Sequence, residues 1–143
     1  METIVERFTT SQPKPNPKDP PQNSTNTYRM GIPDHKRKFP VIEGRQIVET
    51  VIKERLSEFQ QYDPALAGDM CRGIADAVTA KVKDLRCDRY RFVCHAAIFT
   101  DVGQTVKSVS RFLWDQKSDN YVTCTHDGED FSVVVSLFAV YLE

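Results

Sequence analysis

The sequence predicts an α+β domain, two N-terminal helices packed on one face of a four-stranded antiparallel sheet. Helical periodicity is confined to residues 43–85 and strand-like patterning to residues 90–142, a segregation typical of α+β layers. Asp127-Gly128 between the last two apolar runs is a strong hairpin signal. The final run is apolar on both faces: Phe131, Val133, Val135, Leu137, Ala139 and Tyr141 on one, Val134, Phe138, Val140 and Leu142 on the other. A strand covered on one face alone alternates apolar with polar residues. Two helices cover one face of a small sheet, so a second subunit is the natural cover for the other.

The elements follow in chain order. Seven of the eight prolines fall in residues 1–40, among Lys, Asn, Ser and Thr, so residues 1–25 read as a disordered Pro-rich tail that cannot offset its ordering entropy by burial. Residues 26–40 read as an extended docking arm, in which Tyr28, Met30, Ile32 and Phe39 are the first sizeable apolar residues since Phe8. The basic run His35-Lys36-Arg37-Lys38 reads as solvated surface. Residues 41–143 form the single domain. The first helix is expected over about residues 43–60, with Val48, Val51, Ile52, Leu56 and Phe59 at helical spacing. Asp63 is placed as N-cap and Pro64 at the first position of a second helix ending near residue 85. That helix is expected to bury Leu66, Met70, Ile74, Val78, Val82 and Leu85, with Gly68 and Gly73 permitting close packing on the sheet.

Four strands are expected next, at about residues 90–99, 105–114, 120–126 and 131–142. The first repeats the two-faced pattern, with Tyr90, Phe92, Cys94, Ala96 and Ile98 opposite Val93, Ala97 and Phe99. Gly103 serves a turn between the first two.

Charge excludes one class of function. Residues 1–40 hold seven Lys/Arg against four Asp/Glu, net +3, and residues 41–143 hold twelve against sixteen, net −4. Neither is the concentrated basic patch of a nucleic-acid binder. No apolar run reaches the length of a membrane span and no signal-peptide core follows Met1, so no membrane is expected as partner. Cys71, Cys87, Cys94 and Cys124 lack C-x-x-C spacing and are expected as reduced thiols in the cytoplasm, where the Asn23-Ser24-Thr25 triplet would go unglycosylated.

Catalysis finds little support. Adjacent Cys94 and His95 on a strand point to opposite faces and cannot act as nucleophile and base. His126 beside Asp127, Glu129 and Asp130 is better explained as a polar turn than as a metal site. No Gly-rich phosphate loop is present. Catalytic residues, metal and cofactor are therefore all expected to be none.

The remaining feature is a sheet edge. Val106, Lys107, Ser108, Val109, Ser110, Arg111, Phe112 and Leu113 form a run of mixed polarity, suited either to a guarded edge or to strand addition by a peptide. The residues alone leave that choice even.

Phe112-Leu113-Trp114-Asp115, then Lys117-Ser118-Asp119, a short strand, a polar hairpin and the apolar run to Leu142 resemble the C-terminal half of the Tctex-type dynein light chains. Asp88-Arg89-Tyr90-Arg91-Phe92 and the two helices match as well, so the resemblance covers about residues 26–143. Asn26-Thr27-Tyr28 and Tyr62-Asp63-Pro64 are most similar to the second Tctex branch, and the Trp114–Asp119 wording with the Ala139–Glu143 ending to its axonemal outer-arm side. The resemblance implies a dimer, with itself or another Tctex-type light chain, in which the second strand is exchanged. Trp114, Phe92, Val134, Phe138 and Val140 are then expected at the dimer interface. It implies a dynein intermediate-chain segment added beside the 106–113 edge, no catalysis and no cofactor. The expected setting is the axoneme of a cilium or flagellum, supporting motility. The alternatives are an intraflagellar-transport dynein light chain, or a cargo or signalling adaptor using the same groove.

Overall fold

The computed structural model describes residues 5–10, 38–87, 89–100 and 117–142, the first of these by its backbone pairing. In chain order the elements are β1 (Val5–Thr10), α1 (Val41–Leu56), α2 (Pro64–Lys83), β2 (Tyr90–Thr100), β3 (Asn120–Asp127) and β4 (Phe131–Tyr141). The four strands form one antiparallel sheet in the order β1-β2-β4-β3. Three of the four expected strands are present close to their expected bounds. The expected strand at residues 105–114 lies outside the described residues.

The fourth member of the sheet comes from the other end of the chain. Val5–Thr10 pairs with β2 from Val5↔Ile98 to Thr10↔Val93, inside the segment that composition assigns to a disordered tail. The correction has a local cause. Val5, Phe8, Thr9 and Thr10 are β-branched or aromatic, and this run precedes the first proline, Pro13. A forty-residue average hides six residues of strand propensity.

Both helices form where their periodicity places them. Pro40 precedes α1 and accepts a hydrogen bond from the Gly44 amide at 2.9 Å through its carbonyl. Val48, Val51, Ile52 and Leu56 are buried along one stripe, and Phe59 just beyond the helix end packs edge-on against Phe131 at 5.3 Å. In α2 the Asp63 carboxylate accepts from the Ala65 amide at 2.8 Å, satisfying one otherwise unpaired donor of the first turn. The buried stripe of α2 runs through Ala67, Cys71, Ile74, Ala75, Val78 and Val82. Leu66, expected inside, is exposed, because the stripe is centred on smaller neighbours one position along. Gly73 faces α1 instead of the sheet: a Cβ there would meet Arg55 Nη1 at 3.9 Å.

The core lies between helices and sheet. α2 packs over β1 and β2, and α1 over α2 and β3. Ile74, Val78, Val82, Val48 and Val51 meet Cys94, Ile98, Val122, Val133, Val135 and Leu137, all fully enclosed. Phe39 closes one end, its ring 5.7 Å from Phe92 and 6.5 Å from Tyr90. It lies directly over Gly44, where a Cβ would overlap the ring. Glycine is required there by close approach, not by backbone angle.

Candidate partner interface

Strand alternation divides the sheet into two surfaces, and register fixes which residues share each. Toward the helices face Tyr90, Phe92, Cys94, Ala96 and Ile98 of β2, aligned with Tyr141, Ala139, Leu137, Val135 and Val133 of β4. The opposite surface carries Val93, His95, Ala97 and Phe99, aligned with Phe138, Ser136, Val134 and Ser132. No described helix packs on this second surface. Its residues are nevertheless apolar for the most part. Ala97, Phe99 and Phe138 are buried, Val93, Val134 and Val140 half-buried. Tyr121 on β3 stacks against Phe138, with ring centroids 6.3 Å apart.

One polar row crosses it. Thr123, Ser136 and His95 stand side by side on β3, β4 and β2, and the Thr123 and Ser136 hydroxyls lie 3.1 Å apart. His95 and Ser136 are both buried. A polar row within an apolar surface limits the orientations in which a covering surface can satisfy every group, so it contributes register more than affinity.

The end of the sheet is tied by the Lys117-Ser118-Asp119 turn. The Tyr90 hydroxyl donates to the Ser118 carbonyl at 2.8 Å, and the Tyr141 amide donates to the Asp119 carboxylate at 2.8 Å. Burial pushes the Tyr90 hydroxyl pKa up, against the opposing pull of a Phe39 backbone hydrogen bond. Arg89 occupies the left-handed region at φ 63° and is held there by a reciprocal pair: the Leu142 amide donates to its carbonyl at 2.7 Å, and Arg89 Nε donates to the Leu142 carbonyl at 3.1 Å. These contacts give Ser118 and Asp119, both buried, a structural role at the mouth of the segment that leads out of residues 101–116.

The expected interface residues are not brought together as one patch. Val134, Phe138 and Val140 share the surface away from the helices. Phe92 lies on the other side, enclosed with Phe39 and Tyr90 in the core. Trp114 and the edge residues Val106, Lys107, Ser108, Val109, Ser110, Arg111, Phe112 and Leu113 lie outside the described residues. Val93 lies on this face with Ala97 and Phe99, as strand alternation predicts, whereas Tyr121 joins it only through the β3–β4 register that sets it opposite Phe138.

The chemistry-bearing side chains occupy structural positions. Burial pushes the Cys94 thiol up to about 12, assisted by Asp76. Burial also raises Cys124, with Arg45 pulling the other way. Asp130, in the turn after β3, accepts from the Tyr62 amide at 3.1 Å and so ties the hairpin to the loop between the helices. A shallow depression near His126 is lined by Leu56, Phe59, Gln61, Glu129 and Phe131. Among the described residues no group of three His, Cys, Asp or Glu side chains converges as metal ligands, and no helix is long and apolar enough to cross a membrane.

Comparison with known proteins agrees with this architecture. Residues 38–140 match the model of the Tctex-1 family. The chain is 33% identical over 116 residues to dynein light chain Tctex-type protein 2B of Danio rerio, covering 81% of this chain and 76% of that protein. It is 33% identical over 118 residues to dynein light chain Tctex-type 5 of Homo sapiens, covering 82% of this chain and 64% of that one. With the human Tctex-type protein 2 the identity is 28% over 118 residues, 58% of that protein's length. A family match over both helices and three of the four strands, with identity at this level across most of the chain, places it: the protein belongs to the Tctex-1 family.

Proposed function

We propose that the chain is a dynein light chain that dimerises and binds dynein intermediate chains in the axonemal outer arm, supporting ciliary or flagellar motility. Tctex-type dynein light chains are non-catalytic subunits of the motor complex, so the activity to explain is association. The observation that carries the reading is the second sheet surface, with Val93, Ala97, Phe99, Val134, Phe138 and Val140 on a face that no described helix covers. Val93, Val134 and Val140 remain half-buried and Tyr121 exposed on that face, which leaves apolar surface for a partner to cover. Its apolar area provides affinity, and the Thr123–Ser136–His95 row provides alignment.

In this reading the partner across that face is a second Tctex-type light chain, and Trp114 lies at the junction where a strand passes between subunits. The intermediate-chain segment adds along Val106–Leu113 through main-chain hydrogen bonds, which give affinity with little demand on side chains. The matches to Tctex-type proteins 2B, 5 and 2 support a dynein light chain; the axonemal part of the reading rests on the resemblance carried by residues 114–119 and 139–143.

Recovery of tagged protein from ciliated cells tests the reading. Outer-arm heavy and intermediate chains should dominate the recovered proteins. Recovery of intraflagellar dynein would move the assignment to that motor, and recovery of non-dynein cargo alone would replace it with an adaptor. A light-scattering mass, taken alone and with a related light chain, tests the dimer separately.

A further inference from the structure

β2 is held differently along its two edges. Toward β4 it is paired over its whole length, from Tyr90↔Tyr141 to Thr100↔Phe131. Toward β1 the ladder covers only Val93 to Ile98. β4 belongs to the family domain at residues 38–140, whereas Val5–Thr10 lies outside it. Among the described residues of that match none pairs along this edge of β2, and Val5–Thr10 covers it.

The strand has the character of a guard. Glu6 and Arg7 stand in the middle of Val5–Thr10, and charged residues on an edge strand discourage further pairing. Its tether is long: residues 11–37 separate it from the domain and carry six prolines. The six-residue ladder to β1 is shorter than the pairing that joins β2 to β4 from Tyr90 to Thr100, so it is the attachment open to competition.

We propose that Val5–Thr10 is a displaceable guard on the β2 edge, and that the strand it competes with is supplied by a second copy of this chain. A second copy fits because it offers more than a replacement ladder. It brings an apolar sheet face of the same kind as Val93, Ala97, Phe99 and Phe138, so exchange conserves main-chain hydrogen bonds and adds face burial. The guard sets the concentration at which the chain associates. An edge covered nine-tenths of the time weakens an association that needs it about tenfold. The proposal rests on the dimer reading above.

Register supplies the test. Thr9 pairs with Cys94, and paired antiparallel residues have Cα atoms about 4.5–5.5 Å apart, within disulfide range. Full-length Thr9→Cys refolded from denaturant in a glutathione redox buffer, so that Cys94 reacts before it is enclosed, should form the 9–94 disulfide, read by peptide mass mapping, and this locks the guard. The opposite change is made by Phe8→Pro and Thr9→Pro in separate full-length chains. Adjacent strand residues direct their amides to opposite sides, so one of the two removes a ladder donor. Sedimentation equilibrium over a concentration series then reads association. The locked form should stay monomeric where wild type dimerises and recover on reduction, and one proline variant should dimerise at about tenfold lower concentration. A locked form that dimerises like wild type, or proline variants with unchanged midpoints, would overturn the guard while leaving the dimer reading intact. Monomers in every form would overturn the guard and the homodimer together, and leave association with a different light chain to be read by the mixed light-scattering mass.

Discussion

The two surfaces of this sheet are built from the same strands and differ in what they demand. Toward the helices, Cys94, Ala96, Ile98, Val122, Val133, Val135 and Leu137 are all at 0% exposure. On the other side burial is graded, from Ala97 at 0% through His95 and Phe99 at 7% to Tyr121 at 36%. The first surface is closed by the chain's own helices and is uniformly apolar. The second combines apolar side chains with a hydroxyl-and-imidazole row. A uniform apolar layer tolerates only shape-conserving change, whereas a graded one can trade a contact for a different partner. The helix-side face should therefore govern whether the chain folds, and the opposite face should govern what it associates with.

The largest expected effect breaks the first surface. Leu137→Ala removes a fully enclosed side chain at the centre of the core and should cost about 2–5 kcal/mol of unfolding free energy. Urea titration of the monomer at low concentration measures this. A loss below about 1 kcal/mol would mean that the helices do not close this face as described.

Cys94 reports on the same surface without altering it. Its thiol is held neutral, with a pKa pushed up by burial to about 12. A raised folded pKa contributes stability that is present below the unfolded thiol value near 9 and is lost as pH rises toward 12. At neutral pH, iodoacetamide should label half-buried Cys87 first and reach Cys94 only as the fold opens. Mass mapping over time separates the two, and simultaneous labelling would contradict the enclosure of β2.

A third expectation concerns the plug at the end of that face. Gly44→Ala sets a methyl group against the Phe39 ring and should destabilise by about 1–3 kcal/mol. Phe39→Leu in the same chain should recover part of the loss, since a smaller side chain leaves room. Additive losses in the double variant would show that the two residues do not share one site.

The same plug shows where sequence reasoning succeeds and where it stops. Signals that repeat are legible: Val48, Val51 and Ile52 at helical spacing, the Asp63-Pro64 cap, and the alternation of β2 and β4 that separates the two faces. Signals that depend on a single meeting of distant residues are not. Nothing local to Phe39 says that it will lie over Gly44, and Leu66 has the right hydropathy for a core that the backbone turns away from it. β1 was hidden for a different reason: its pairing with Val93–Ile98 joins residues nearly ninety positions apart, and non-local pairing leaves only weak strand propensity in the sequence. The interface surface was half legible. Its apolar character is written in period two, but its polar row emerges only when register sets Thr123 beside Ser136 and Ser136 beside His95.

The opposite face is sharpened by Val140→Thr. The residue is half-buried, so its hydroxyl can remain partly solvated, and the unfolding free energy should change by less than about 1 kcal/mol. Association should weaken visibly in sedimentation. If instead Val140→Thr destabilises the monomer as strongly as Leu137→Ala, the division between a folding face and an associating face does not hold.

The smallest effect should come from a contact belonging to neither face. Lys81 of α2 lies 2.7 Å from Glu54 of α1, joining the outer sides of the helices, and both side chains are exposed. Geometry this close invites a large attribution, but exposed pairs lose most of their Coulomb attraction to water and pay side-chain ordering entropy. A double-mutant cycle of Glu54→Gln and Lys81→Met should give a coupling of about 0.2–1 kcal/mol, shrinking further as salt is added. Neither change should move the association midpoint, because the pair touches neither sheet surface. A coupling above about 2 kcal/mol, or a shifted midpoint, would show that the helices transmit to the sheet and that its two faces are not independent.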